Sequence, residues 1–230
     1  MATIWDTSFN TTFVYTNGNR TANNNSISAN WETARSNTSH ASNGLYYFEA
    51  SLDSTHNTGV NQYDSWGIGV CNGSGPLHAF MGQTSANGIM CSTGNAAQDV
   101  WYNSVKTIGL GGACYRPGDR CAVAINLTTP RIWFRNITRD VRDATGVHWW
   151  GQNGTGADDP TSSGTGFPID VLVGVGAVFI GFSGTFSAST DSQVTLYPSV
   201  ASGFLGVVPS AAYQAWDLSV VLGQSAVSVI

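Results

Sequence analysis

The sequence predicts an all-β protein, an antiparallel two-sheet β-sandwich, and three observations carry that prediction. Apolar and polar residues alternate with a period of two in segment after segment, and no long stretch holds a 3.6-residue apolar period. Clusters of Gly, Asn and Ser, such as Asn17-Gly18-Asn19 and Ser42-Asn43-Gly44, punctuate the alternating segments and read as turns. Only 10% of the 230 residues are charged, well under the usual ~25%. The polar surface is therefore built from Asn, Ser, Thr, Gly and Gln, a composition that suits strands and turns and resists helices.

Taken in order, the clearest strands are Leu45 to Leu52, Ser65 to Cys71, Cys121 to Leu127 and Arg131 to Arg135. Further strands are expected at Val171 to Gly176, Ala177 to Phe182 and Ser192 to Tyr197. One hairpin follows residue by residue. Cys121 to Leu127 alternates, Thr128-Thr129-Pro130 turns, and Ile132-Trp133-Phe134 returns. Pro130 lacks an amide hydrogen and so belongs in the turn. Upstream, Arg116-Pro117-Gly118-Asp119 has Pro second and Gly third, as a type II turn prefers. The segment from Val147 to Gly166 is long, polar and rich in Gly, and reads as an insertion at the rim. Residues 1–217 are expected to form one domain, since sandwiches of this size often run undivided.

Several function classes are disfavoured. Net charge is −5 and eight Arg stand against one Lys, so the dense basic patch that nucleic acid requires is missing. The basic run Arg131, Arg135, Arg139, Arg142 is interleaved with Asp140 and reads as a mixed, solvated rim. The first residues carry no basic-then-apolar leader pattern. The longest apolar run, Val171 to Phe182, is too short and too glycine-rich for the ~20 residues of a spanning helix, so no membrane insertion is expected. Cys71, Cys91, Cys114 and Cys121 show neither a CxxC spacing nor a His at ligand spacing. No metal and no cofactor is expected.

Several motifs, in register, resemble the SPRY family. Gly44-Leu45-Tyr46-Tyr47-Phe48-Glu49 looks like its G-x-W/Y-Y-F-E strand. Gly118 to Leu127 looks like its GD-x-I-G-V-A-L-D-L strand, and Ile132 to Asn136 like the F-Y-x-N-G that follows. The chain is more specifically similar to SPRY-like domains of phage and prophage proteins. The residues that match are Trp5-Asp6, Thr16-Asn17-Gly18-Asn19, Thr33-Ala34-Arg35, Gly82 to Ile89, and a closing run from Phe204 to Pro209 with Tyr213 and Trp216. The likeness spans about residues 3 to 217. It departs from the pattern at Ile137, where a turn Gly is usual, from Thr138 to Val147, where strand alternation is lost, and at the long loop after His148. The resemblance implies a concanavalin-A-like jelly roll used for protein recognition, and in phage-like settings for virion or surface attachment.

The residues offer little for catalysis. Glycoside hydrolysis needs two carboxylates about 5–9 Å apart, and the chain has only two glutamates, Glu32 and Glu49, the latter in a strand the resemblance treats as structural. His40, His56, His78 and His148 are scattered, none near a nucleophile motif. The candidate binding surface is instead His148, Trp149, Trp150, Asp158 and Asp159, on the long loop. An exposed ring of the Trp pair would stack on a sugar or a partner side chain; the other reading packs both rings beneath the loop. In an extended pair the two side chains face opposite ways. Asp158-Asp159 reads either as a solvated turn or as oxygen ligands for calcium. Trp5, Trp31, Trp66, Trp101, Trp133 and Trp216 are read as core.

The expected function is therefore that of a phage or phage-like virion structural protein (a decoration, collar or tail-fibre component), assembled in the host cytoplasm. It would dock on other virion proteins, form a homo-oligomer, and possess no enzymatic activity. The alternative is a lectin-type module that binds a host-surface glycan. A disulfide between Cys114 and Cys121 is expected if Arg116 to Asp119 closes a hairpin that sets the two opposite one another. Residues 218–230 (LSVVLGQSAVSVI) hold no charge, and seven of the 13 are Val, Leu or Ile. Such a segment has to be covered, as an edge strand of its own sandwich or as an arm added to a neighbour's sheet.

Overall fold

The computed structural model describes residues 2–24, 31–54, 66–93, 98–107, 118–138, 148–152, 157–162, 164–185 and 192–217. In chain order the strands are β1 (Phe13–Thr16), β2 (Thr21–Asn24), β3 (Trp31–His40), β4 (Leu45–Ser54), β5 (Trp66–Asn72), β6 (Gly88–Thr93) and β7 (Gln98–Tyr102). There follow β8 (Val105–Thr107), β9 (Arg120–Asn126), β10 (Arg131–Asn136), β11 (Phe167–Pro168), β12 (Val178–Thr185), β13 (Ser192–Tyr197) and β14 (Gln214–Ala215). The larger sheet runs β1-β2-β13-β4-β9-β10-β11, with β14 also on β4; the smaller runs β3-β12-β5-β6-β7-β8. Among the described residues, every pairing between these strands is antiparallel except the short β14–β4 contact. The two-sheet antiparallel β-sandwich of the sequence reading is the observed fold.

The period-two patterning explains how the sheets stack. On β4, Tyr46, Phe48, Ala50 and Leu52 enter the cluster between the sheets; on β9, Cys121, Val123 and Ile125 do so, and on β10, Ile132 and Phe134. The smaller sheet answers with Trp66, Ile68 and Val70 from β5, Ile89 and Cys91 from β6, and Val178, Ile180 and Phe182 from β12. The intervening residues point outward, yet many of them are buried too. Tyr47, Ala122, Ala124 and Trp133 form a second cluster on the outer face of the larger sheet, with Trp149 and Tyr213 over them. Cys71, Met81 and Met90 form a third on the outer face of the smaller sheet. There the backbone of Gly181 lets Met81 lie flat on the sheet, since a Cβ would stand 2.1 Å from its sulfur. Trp5, Trp66, Trp133 and Trp216 are fully buried, while Trp31 and Trp101 lie half-buried against the third cluster.

The β9–β10 hairpin forms as read, with Asn126 opposite Arg131. The Asn126 carboxamide oxygen closes the turn by accepting the N–H groups of Thr128 and Thr129. Two expectations need correction. Val171 to Gly176 is not a strand: Asp170–Gly174 forms a helix, α1. Ile169 and Leu172, three residues apart, are buried, whereas Val171 and Val175 face solvent, a helical face too short to register in a β-branched run. The hairpin register assumed for Cys114 and Cys121 also fails. Cys121 already has Ala50 on one ladder edge and Asn136 on the other, so no third strand can oppose it. Gly118 pairs with Leu52 of β4 instead. Cys121 is a buried thiol that donates to the Ala50 carbonyl; Cys114 lies outside the described residues, as does the 218–230 segment.

Among the described residues no helix is long and apolar enough to cross a membrane.

Candidate docking site

The site is built where chain segments cover the outer face of the larger sheet. Trp150 exchanges both backbone hydrogen bonds with Phe134, at 2.8 and 3.0 Å, which adds it to the free edge of β10 beyond β11. That pairing holds Trp149-Trp150 extended, so the rings point to opposite faces. Trp150, 2% exposed, enters the core between the sheets, and Trp149, 3% exposed, enters the outer cluster beside Tyr47. Neither ring offers an exposed stacking platform. Both rings are buried because both faces of the sheet are covered.

Beyond Trp149 the loop folds back on itself. Ala157 bridges to Trp149, and the N–H of Asp158 donates to the Trp149 carbonyl at 3.2 Å. The buried Asp158 carboxylate accepts the N–H of Gly151 at 2.8 Å. Asp159, exposed, caps its own turn by accepting the N–H and hydroxyl of Thr161 at 2.8 and 2.7 Å. Tyr213 lies beneath and donates to the Pro160 carbonyl at 2.8 Å. Burial, and then the charge of Asp159, push its phenol pKa upward. Both carboxylates thus organise loop backbone, Asp159 in the solvated setting of a turn and Asp158 buried.

The opposite wall is a strap from Pro198 to Pro209, held by one buried ion pair. Glu49 projects to the outer face of β4 and is fully buried. It accepts hydrogen bonds from the N–H of Leu205 (2.9 Å), the N–H of Gly206 (2.8 Å) and the hydroxyl of Tyr47 (2.8 Å). Arg120 donates to it at 3.2 Å, donates to the Gly203 carbonyl at 3.3 Å, and stacks on Tyr197 with 3.3 Å from guanidinium carbon to ring centroid. Burial first, and then the adjacent Glu49 charge, hold the Tyr47 phenol protonated by raising its pKa. Gly206 lets the strap lie close on the sheet, since a Cβ there would stand 2.7 Å from the Tyr47 hydroxyl and 2.8 Å from the Ile137 side-chain tip and would force them to shift.

Between loop and strap opens a cavity of about 310 Å³ lined by Trp149, Ala157, Asp158, Asp159, Pro160, Val207, Val208 and Pro209. The strap beside it is apolar and exposed: Val200 is 72% accessible, Leu205 69% and Val207 71%. Of the candidate surface read from the sequence, Trp149, Asp158 and Asp159 meet at this cavity. Trp150 and the half-buried His148 do not line it. The strap residues were missed as site residues, although the closing Phe204–Pro209 run was noted. Its signal is apolar residues without any strand period between two prolines, a pattern for a segment that cannot hide all of them.

No family model and no curated protein matches the sequence. Solved structures do match in shape. The crystal structure of the SPRY domain of human HERC1 superposes with a TM-score of 0.56 at 14% identity, covering 84% of this chain and 96% of that one. The TRIM65 PSpry domain superposes with a TM-score of 0.54 at 11% identity, covering 85% of this chain and 92% of that one. At such identities the likeness speaks for architecture alone: the chain has a SPRY-like β-sandwich fold.

Proposed function

We propose that the chain is a non-catalytic recognition module that docks another protein on the strap-and-cavity face, and that it serves as a structural component of a phage-like particle. The observation that carries the docking reading is the strap itself. Three of its aliphatic side chains stand mostly in water within eight residues, and clustered exposed apolar groups mark interaction surfaces. Glu49 and Arg120 fix the backbone beneath them, so little ordering entropy opposes association. The particle setting is supported by the motif order that resembles phage SPRY-like domains. The absence of activity is supported by both glutamates having structural work: Glu49 anchors the strap, and the buried Glu32 binds Asn10 and His78. A lectin reading of this face finds no exposed ring at Trp149 or Trp150 on which a sugar would stack.

The test is a Leu205→Ser/Val207→Ser double variant. Exposed substitutions of this kind change stability by about 0.5 kcal/mol or less, so the melting temperature should hold. Incorporation into the particle, scored by antibody-labelled negative-stain imaging, should fall sharply. Full incorporation overturns the docking face, and a positive glycan array that Leu205→Ser/Val207→Ser leaves unchanged favours the lectin alternative elsewhere on the surface.

A further inference from the structure

We infer that the strap-and-cavity face receives residues 218–230 of a second copy of this chain. The inference rests on the docking reading and names its partner. Copies of a chain with a net charge of −5 repel one another, so a contact between them belongs where both surfaces carry no charge. Residues 192–216, which include the whole strap, hold no charged side chain, and neither do residues 218–230. On the receiving side, Val200, Leu205 and Val207 stand in water, and the apolar wall runs on through Val208 to Trp149 and Pro160 in the cavity. Exposure alternates from residue 203 to 208, so Leu205 and Val207 face outward together, roughly 7 Å apart. On the donating side, Leu218, Val220 and Leu222 have the same spacing of two, as do Val227 and Val229. Laid extended along the strap, such a segment sets aliphatic against aliphatic side chains and brings no charge of its own to be desolvated.

The direction in which the chain leaves its own sandwich points to a second copy rather than to its own strap. β14 lies beside β4 at Tyr46 and Tyr47, but from Glu49 onward that place is taken by β13, with Tyr197 opposite Glu49. The chain therefore turns inward. Trp216 enters the cluster between the sheets, and its carbonyl accepts from His40 Nε2 of β3 at 3.0 Å. The Asp217 carboxylate accepts the N–H of Thr3 at 3.1 Å, and the Thr3 hydroxyl pairs with that of Thr38 on β3 at 2.7 Å. Both contacts lie toward the smaller sheet, whereas the strap covers the outer face of the larger one. Residue 218 thus starts on the side of the larger sheet away from the strap. Thirteen residues span up to about 45 Å when extended, enough to cross to a neighbouring subunit. The contact is heterologous, segment to strap, and repeats from subunit to subunit into a closed ring or an open fibre.

The experiment uses two full-length double variants. Val220→Asp/Val227→Asp puts charge into the donating segment and leaves the strap intact, and Leu205→Ser/Val207→Ser does the reverse. The wild-type chain should self-associate in sedimentation velocity, with little dependence on salt because no ion pair is involved. Each variant alone should associate about a hundredfold more weakly, since each desolvated aliphatic side chain is worth about tenfold or more. An equimolar mixture should regain association and stop at the dimer, because one strap and one segment remain to pair. With the segment variant isotope-labelled in that mixture, NMR amide signals should shift in 157–160 and 204–209. Wild-type association of the segment variant overturns residues 218–230 as the occupant. Wild-type association of the strap variant, or shifts confined to the loop 73–87, overturns the strap as their seat. A monomeric wild type overturns the second copy, and a segment variant that then associates through its bared strap puts the segment on its own chain. Where the aspartates lower the melting temperature, Val220→Ser/Val227→Ser repeats the test. The docking reading is judged apart, by particle incorporation of the strap variant: if its self-association is that of wild type while incorporation still falls, the strap docks a different protein.

Discussion

Replacing Glu49 by Ala should be among the most damaging single changes to the described structure. The substitution removes the acceptor for two strap N–H groups and for the Tyr47 hydroxyl, and it strands Arg120, whose side chain is only 10% exposed. Deleting one partner of a buried ion pair costs about 3–5 kcal/mol. Each buried donor left unsatisfied costs about 1–3 kcal/mol, though Leu205 is exposed and Gly206 half-buried, so water will recover part of that. A net loss of about 4 kcal/mol follows. For a chain of this length one kcal/mol moves the melting temperature by about 2–4 °C, so Glu49→Ala should melt about 8–16 °C lower. Urea unfolding followed by Trp fluorescence measures the same loss independently. A second variant isolates the cause: Glu49→Ala with Arg120→Leu removes the stranded charge and should recover part of the deficit. A loss under about 1 kcal/mol in Glu49→Ala, or a double variant worse than the sum of the singles, would refute the ion pair as the anchor of the strap.

Trp149→Ala and Trp150→Ala should each cost about 3–5 kcal/mol in chemical denaturation, the range for buried Trp truncation; unchanged stability would mean that the rings are not packed as described. The Cys71 thiol is pushed up to about 12 by burial, from 9.0. The folded state therefore keeps its proton while the unfolded chain ionises, so stability is full below about pH 9 and falls as pH rises toward 12, by ~1.4 kcal/mol per unit for this thiol. A pH series of urea midpoints shows it, and rising stability above pH 9 would contradict it. Deleting residues 218–230 should leave the sandwich folded, since Trp216 already pairs with Tyr47 and Asp217 with Pro198. Loss of oligomerisation in the folded truncation supports an intersubunit arm, whereas unfolding rules it out.

Much of the fold was legible because alternation is a local signal. Leu45–Leu52, Cys121–Leu127 and Arg131–Arg135 announced themselves, and they became the centre of the larger sheet. What the sequence concealed depends on contacts distant in the chain. Phe13–Thr16 and Thr21–Asn24 are too short to stand out, and they are strands because the second pairs with β13 and the first with the second. Trp149 and Trp150 stand on a long loop in the sequence, and an extended backbone there turns their side chains to opposite faces. Whether the rings pack beneath the loop or stand exposed stays open in the sequence, because covering the outer face requires a strap some fifty residues downstream. Glu49 likewise reads as one position of a strand motif until residues 205 and 206 are seen to close on it. Asp158 and Asp159 stand out in the sequence as adjacent carboxylates on a long loop, and a turn and a calcium ion would draw on the same oxygen acceptors. The loop backbone takes those acceptors.

The central claim is that this molecule meets its partner on the strap and the cavity beside it. Hydrogen exchange, read by mass spectrometry on the chain free in solution and within the assembled particle, tests it most directly. The account predicts new protection concentrated in residues 157–160 and 199–209, with the strands of the smaller sheet unchanged. Identical exchange in those two segments, with protection arising instead over the loop 73–87 on the opposite face, would contradict it.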